Sequence, residues 1–339
     1  MAPLRKSALL KLFEASVRAS GWSLLHLTDP NEHPAGYQIY SGDAGWRVRV
    51  YIWNLTPGGR VALPDEWRIQ VTGLPEPAGS QQFFPEVGGK TLILGWWSDL
   101  DVFAGFDVSY HLGPLGKSAS LQIRQGALES AHINGMAHYF RGHQEIAFAI
   151  KPEFMGAYLS NMEELHACGS SEEAMKLFEQ VCENPETVDE QDIIDQVPEA
   201  RRYAVVATKK ALRDAKFKDR VLTAYSHTCA MCGVQLRLLD AAHILPAAHP
   251  DSTDETSNGI ALCALHHRAF DRGFVTFDTG YRTHRNREME DELEASGLDG
   301  GLKGFLEALS PVIHLPPDQK DRPHAVYVER VNAMRGWHL

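Results

Sequence analysis

Between Cys229 and Asp271 the chain places two overlapping sets of ligand-type residues at short, regular spacings. Cys229-Ala-Met-Cys232 is a C-x-x-C pair, and Cys263-Ala-Leu-His266 is a C-x-x-H pair further along. Two such knuckles supply the four soft ligands of a closed tetrahedral zinc site. A redox C-x-x-C would follow a strand and open a helix, and it would leave the second pair unexplained. The other set is His243, in Ala241-Ala242-His243-Ile244-Leu245-Pro246, then Asn258 and His267. Residues of these types can run metal-assisted hydrolysis of a phosphodiester. That reaction needs water deprotonated, in-line attack, and stabilisation of the leaving oxygen and of the charge gathering on phosphorus. Cys168 and Cys182 stand alone in an acidic segment and read as isolated thiols.

From Tyr225 to Phe277, about a sixth of the chain, the sequence resembles the HNH, or ββα-metal, nuclease family. The resemblance rests on the two zinc knuckles, on His243-Ile244 before a Pro, on Asn258-Gly-Ile-Ala-Leu-Cys263, and on a His directly after the last zinc ligand. Several independent elements in register make it more specific than any one short motif. It implies that His243 is the general base, since a neutral imidazole accepts a proton near physiological pH. It implies that His267 binds a divalent ion, magnesium or manganese, that contacts the scissile phosphate. Asn258 would lie in the loop between the hairpin and the helix and orient the base through its amide. His266 and His267, about 100° apart on a helix, would face the zinc and the substrate respectively.

The chain departs from that pattern at one place. Many members carry Asp or His directly before the base, as a metal ligand, whereas this chain has Ala242. The catalytic ion is then held by His267 with Asp271, with Asp240, or mostly by water and phosphate. Asp271 is favoured because it follows His267 by four residues and shares its helix face. It also reads as an ordinary carboxylate ending a helix before Arg272-Gly273. Arg268, next to His267, is a candidate for contact with DNA.

These residues need a scaffold, and 339 residues provide material for two or three domains. Leu4 to Val17 is amphipathic and carries Arg5, Lys6 and Lys11, unlike a secretory signal, and no run has the length of a membrane span. With cysteines spaced for zinc rather than for disulfides, a cytoplasmic protein is expected. The formal charge of -11 sits awkwardly with a DNA enzyme until it is located. Residues 161–200 carry twelve acidic side chains and one lysine, while 201–220 carry eight basic and two acidic. The excess acid is therefore local, and a basic helix leads into the ligand-rich stretch. Lys209, Lys210 and Arg213 on that helix are candidates for phosphate contact, the sequence-blind part of DNA affinity. The competing reading is a solvated face paired with the acidic segment before it.

The first 160 residues read as an α+β unit, a mixed sheet or partial barrel with flanking helices. Helices are expected at about Leu4–Ser20, Gln125–Ile133 and Pro152–Glu164. Strands are expected at Tyr37–Tyr40, Trp46–Trp53, Trp67–Thr72, Thr91–Trp97, Asp101–Val108, Ser118–Arg124 and Glu145–Ile150. Turn clusters such as Pro57-Gly58-Gly59 and Pro75 to Gly79 punctuate them. In Trp46–Trp53, Arg47, Arg49, Tyr51 and Trp53 share one face, and Arg47, Arg49 and Trp53 are candidates for DNA contact by stacking and clamping. Trp96, Trp97, Phe103 and Phe106 read as core. The Gly113–Ser120 loop lacks the spacing of a nucleotide-binding loop. Beyond Phe277 an acidic helix at Glu288–Ala295 and a last helix at His324–Met334 are expected.

The expected organisation is a DNA-recognition domain at 1–165, an acidic then basic helical linker at 166–220, and a zinc-stabilised HNH domain with its C-terminal extension at 221–339. In domain order this is similar to modification-dependent restriction enzymes, in which a base-reading domain precedes an HNH nuclease. The expected activity is metal-dependent cleavage of double-stranded DNA, modified or not, in defence against foreign DNA. The alternatives are a zinc-stabilised DNA-binding module without activity and a homing or structure-specific nickase. With one active site per chain, cutting both strands requires a homodimer or two sequential nicks.

Overall fold

The computed structural model describes residues 3–42, 44–76, 79–142, 144–236 and 238–339; Pro77 and Ala78 of the second turn cluster lie outside them. The chain divides into two units, Met1–Leu212 and Arg213–Leu339.

In the first unit α1 (Lys6–Ala19) is followed by β1 (Ser23–His26), β2 (Ala35–Ser41) and β3 (Ala44–Asn54). These form consecutive antiparallel hairpins. The next partner of β3 is β6 (Lys90–Trp97), which runs parallel to it. A parallel pair requires a crossover, and here the crossover carries β4 (Thr56–Pro57) and β5 (Glu66–Gln70). Those two join β8 (Ser120–Arg124) in a separate three-stranded sheet. The main sheet continues through β7 (Val102–Phe106), β10 (Glu145–Ile150) and β9 (Met136–Gly142), giving the order β1-β2-β3-β6-β7-β10-β9. It stays open, a mixed α+β arrangement that does not close into a barrel. Helix α2 (Gln125–Asn134) packs near β9, and α3 (Met155–Ala167) packs on β10.

One core of this unit lies between the two sheets, where Tyr51, Trp53, Ile93 and Trp97 meet Ile69, Leu121, Ile123 and Phe83. Trp96, Phe103 and Phe106 are also buried, as expected of core. Trp53 corrects an expectation. It is only 5 % exposed, its indole N–H donates to the Thr72 carbonyl, and the Lys6 ammonium lies 4.0 Å from its ring centroid. It is core, not a surface for DNA. The reason is visible in the strand: Arg47 and Arg49 alternate with apolar residues, but Val50-Tyr-Ile-Trp53 is unbroken. Such a run marks a strand covered on both faces, and the second sheet covers the face that alternation alone assigns to solvent. Arg47 and Arg49 share one half-buried carboxylate, Glu86, at 3.3 and 2.8 Å.

After α4 (Glu172–Glu183) and α5 (Glu190–Gln196) comes α6 (Glu199–Ala224), whose residues from Arg213 onward belong to the second unit. There β11 (Leu239–His243) pairs antiparallel with β12 (Gly259–Cys263), and α7 (Ala264–Asp271) follows directly, a ββα arrangement. A small hairpin, β13 (Val275–Phe277) with β14 (Thr283–Arg285), and helices α8 (Arg287–Ala295), α9 (Leu302–Ala308) and α10 (Ala325–Met334) complete it. Phe217, Val221, Ile260, Leu262, Phe270 and Val328 belong to its core. Among the described residues no helix is long and apolar enough to cross a membrane.

Candidate active site

The four zinc-type ligands converge. The Sγ atoms of Cys229, Cys232 and Cys263 and the Nδ1 of His266 all lie within 4.8 Å of one another. Cys232 and Cys263 are 3.9 Å apart at sulfur, and His266 Nδ1 is 3.8 Å from Cys229 and 3.1 Å from Cys263. A tetrahedral ion with bonds of about 2.3 Å to sulfur sets its ligands about 3.8 Å apart, so this donor set fits zinc. Local backbone makes the cradle. Gly233, at φ +74°, takes the left-handed conformation that turns the first knuckle, and its N–H donates to the Cys229 carbonyl. The Ala230 N–H donates to the Ala261 carbonyl and ties that knuckle to β12, while Cys263 and His266 begin α7.

His267 turns away from that cluster, as the 100° step requires. Its Nε2 lies 3.4 Å from Asp271 and its Nδ1 3.8 Å from Asp240, so two carboxylates flank one imidazole. The interaction with His267 holds the Asp240 carboxyl at about 2, and Asp240 in turn raises the imidazole. The three line an open cleft of about 370 Å³ with Arg268 and Arg272. Hard oxygen donors around one imidazole in an open cleft suit a divalent ion that keeps part of its water shell. Lys218 of α6 lies 3.1 Å from Asp240, and Arg335 lies 3.9 Å from Asp271.

His243 ends β11. Its Nε2 is 2.8 Å from Asp254 Oδ1, and its ring stacks on Phe217 of α6, 3.9 Å between centroids and 8° from parallel. A carboxylate only accepts, so Nε2 is the donor, and in the neutral imidazole the lone pair is then on Nδ1. Asp254 Oδ2 lies 2.9 Å from Arg213 Nε, a charge contact in which the N–H is not aimed along a hydrogen bond. The backbone carbonyl of Asp254 accepts from Arg220. Helix α6 approaches this closely because residue 259 is glycine. A Cβ there would sit 2.2 Å from Val221 and 3.1 Å from the Phe217 ring.

Asn258 is wholly buried and lies in the connection between the two strands of the hairpin, not between hairpin and helix as expected. The register explains this, since Gly259, the next residue, pairs with His243. Its Oδ1 accepts from the Leu245 N–H, and its Nδ2 donates to the Thr253 carbonyl at 2.8 Å and to Ser252 Oγ at 3.0 Å. Its own carbonyl accepts from the Ile244 N–H. Through its backbone carbonyl and its side-chain amide Asn258 thus fixes the two residues after His243 and the residue before Asp254.

The sequence-derived residues therefore fall into three groups in space. His267, Asp271 and Arg268 share the cleft, Cys229, Cys232, Cys263 and His266 share the soft-ligand cage, and His243 with Asn258 occupies the hairpin. Strand β11 carries both Asp240 and His243, three residues apart, about 10 Å along a strand. Arg213, expected to face DNA, gives its guanidinium to Asp254 instead. Lys209 is half-buried and Lys210 exposed on α6. Asp254 and Phe217 were not found by sequence reasoning. The one signal was an acidic residue in the polar run Asp251–Thr256, indistinguishable there from turn chemistry.

Residues 229–278 match a family described as HNH endonuclease. The second unit therefore contains an HNH endonuclease domain at residues 229–278, and the protein is a nuclease. Residues 46–159 of the nuclease match a second family, described as methylase-associated X1. No curated protein matches the chain. Among solved structures, one titled "Modification dependent TagI restriction endonuclease" aligns at 14% identity over 84% of this chain and 80% of its own, with a TM-score of 0.31.

Proposed function

We propose that this nuclease is a restriction-type enzyme that cleaves double-stranded DNA with a divalent ion, and that its first unit reads the DNA. The observation that supports it most is that one ββα unit carries both an imidazole whose Nε2 meets a carboxylate (His243 with Asp254) and a second imidazole set between two carboxylates (His267, Asp240, Asp271). His243 Nδ1 takes the proton from the attacking water, and Asn258 holds the hairpin loop that fixes His243 in place. His267 with Asp271 and Asp240 holds magnesium or manganese. When bound, that ion supplies positive charge to the scissile phosphate and to the leaving oxygen. Arg268, exposed beside the cleft, steadies the DNA backbone, and Lys209, Lys210 and Arg47 add sequence-blind affinity. The zinc cage stabilises the domain and takes no part in the reaction.

The description of the family matching residues 46–159 as methylase-associated supports a substrate whose methylation state matters, and hence a role in defence inside the cell. A single ββα site cuts one strand, so double-strand cleavage implies a homodimer or two sequential nicks. The test compares modified and unmodified plasmids with magnesium or manganese, using wild type and His243→Ala. Cutting by wild type alone, restricted to modified DNA, is the expected result. Equal cutting of both plasmids removes modification dependence. Binding without cutting in either protein points to an inactive DNA-binding module, and accumulation of nicked circles alone points to a nickase.

A further inference from the structure

We propose that Asp254 is a positioning residue for the base: with Arg213 and Phe217 it fixes the tautomer and the ring plane of His243. The inference rests on the reading of His243 as general base. Each part of the arrangement constrains a different freedom of the imidazole. The carboxylate accepts from Nε2, which selects the tautomer of the neutral ring whose lone pair is on Nδ1. The Phe217 ring, nearly parallel at 3.9 Å, blocks rotation of the imidazole out of its plane. Both carboxylate oxygens are engaged, Oδ1 by His243 and Oδ2 by the charge of Arg213, which holds the carboxylate in one orientation toward the imidazole.

The loop that carries Asp254 is itself pinned from several sides. Asn258 bonds the Thr253 carbonyl, Tyr327 Oη lies 2.8 Å from Thr253 Oγ1, Arg330 lies 2.6 Å from Asp251, and Arg220 donates to the Asp254 carbonyl. Only one of these contacts is an ion pair, between the exposed Arg330 and Asp251, and such a pair adds little stability; the others are hydrogen bonds that fix where the loop runs. Fixing the loop holds a reacting group within a narrow range of positions. Arg213, Phe217, Tyr327 and Arg330 all lie outside residues 229–278, so the positioning apparatus comes from helices flanking the HNH domain's core segment.

The test uses the full chain. Nitrogen-15 NMR of histidine-labelled wild type, with His243 assigned by its loss in His243→Ala, reads the tautomer directly and does not depend on activity. A proton on Nε2 is expected, and a proton on Nδ1 overturns the proposal. In Asp254→Asn, whose amide can donate to Nε2 and stabilise the opposite tautomer, the Nε2–H signal should fall. kcat should drop by ~10²-fold or more with KM for plasmid unchanged, and Asp254→Glu should restore part of it. If His243→Ala abolishes cutting while Asp254→Asn cuts like wild type with the same tautomer, the positioning role is wrong and the base assignment stands. If His243→Ala cuts like wild type, the base assignment itself has failed, and the proposal with it.

Discussion

The ring of Phe217 lies flat against the imidazole of His243, 3.9 Å away and 8° from parallel. Phe217 is on a helix that precedes the zinc knuckles, and His243 closes the first strand of the hairpin. Their contact depends on Gly259, which removes the Cβ that would hold the helix off. Replacing Phe217 by leucine keeps most of the apolar burial and loses the stack. We expect the variant to fold, with a melting temperature a few degrees lower, and to cut about tenfold more slowly at unchanged DNA affinity. Phe217→Ala opens a cavity as well and should cost about 3–5 kcal/mol of stability. Thermal melts beside cleavage rates separate the two effects, and a Phe217→Leu rate equal to wild type would show that the stack is only packing.

Zinc removal should act on one unit only. Metal binding of this kind contributes folding free energy, about 10–16 kcal/mol in small zinc peptides, and the cage joins the first knuckle to the end of β12 and the start of α7. The first unit has its own core between two sheets. Stripping zinc with a strong chelator, or changing Cys232 to Ser, should abolish cleavage and lower one calorimetric transition while a second remains. Magnesium alone should not restore cutting, whereas zinc followed by magnesium should. A single unshifted transition after complete zinc loss would contradict the structural role of the cage.

Short-range pattern made the cage and the ββα order readable. C-x-x-C, C-x-x-H and Asn-Gly-Ile lie within elements whose geometry is local, and the adjacent pair His266-His267 needs only the helical step to point two ways. Asp254 was not readable, because its partner His243 sits across an irregular loop and is reached only once Asn258 has folded that loop. In the first unit, Trp46 to Trp53 was read correctly as a strand, and its second face was misassigned. Whether Trp53 meets solvent depends on β5 and β8, which arrive from elsewhere in the chain. Strands β1 and β9 went unread: Ser23-Leu-Leu-His26 is too short to show alternation, and Met136–Gly142 ends in polar residues near the sheet edge.

Acid should loosen the first unit through His33. Its Nε2 accepts from the Ile52 N–H at 3.0 Å, and burial, with the charge of Lys6 nearby, pushes the imidazole down to about 3. The folded form therefore resists a proton that the unfolded chain takes up near the ordinary value of 6.5. Stability from this group is intact above about 6.5 and declines as pH falls from there toward 3. The melting temperature of the first unit should fall over that window, and His33→Gln, which keeps an acceptor but cannot titrate there, should flatten the decline. An unchanged slope in the variant would assign the acid sensitivity to other groups.

The two carboxylates beside His267 can be ranked as ion ligands by experiment. Asp271 Oδ2 lies 3.4 Å from Nε2 and Asp240 Oδ2 lies 3.8 Å from Nδ1, so an ion bound through one ring nitrogen meets one carboxylate more directly than the other. Asp271 shares its helix face with His267, which holds that pair in register whatever the loops do. Asp240 is on β11 and is also paired with Lys218, whose charge opposes a cation there. We therefore expect Asp271→Asn to raise the magnesium concentration for half-maximal cutting by at least about tenfold. Asp240→Asn should have a smaller effect, and Lys218→Ala should lower the requirement slightly by freeing Asp240. Asn is nearly the same size as Asp, so folding should be unaffected, and melting curves check this. If Asp240→Asn carries the large shift and Asp271→Asn is silent, the ion is held across the strand and Asp271 serves only to pair with His267 and Arg335.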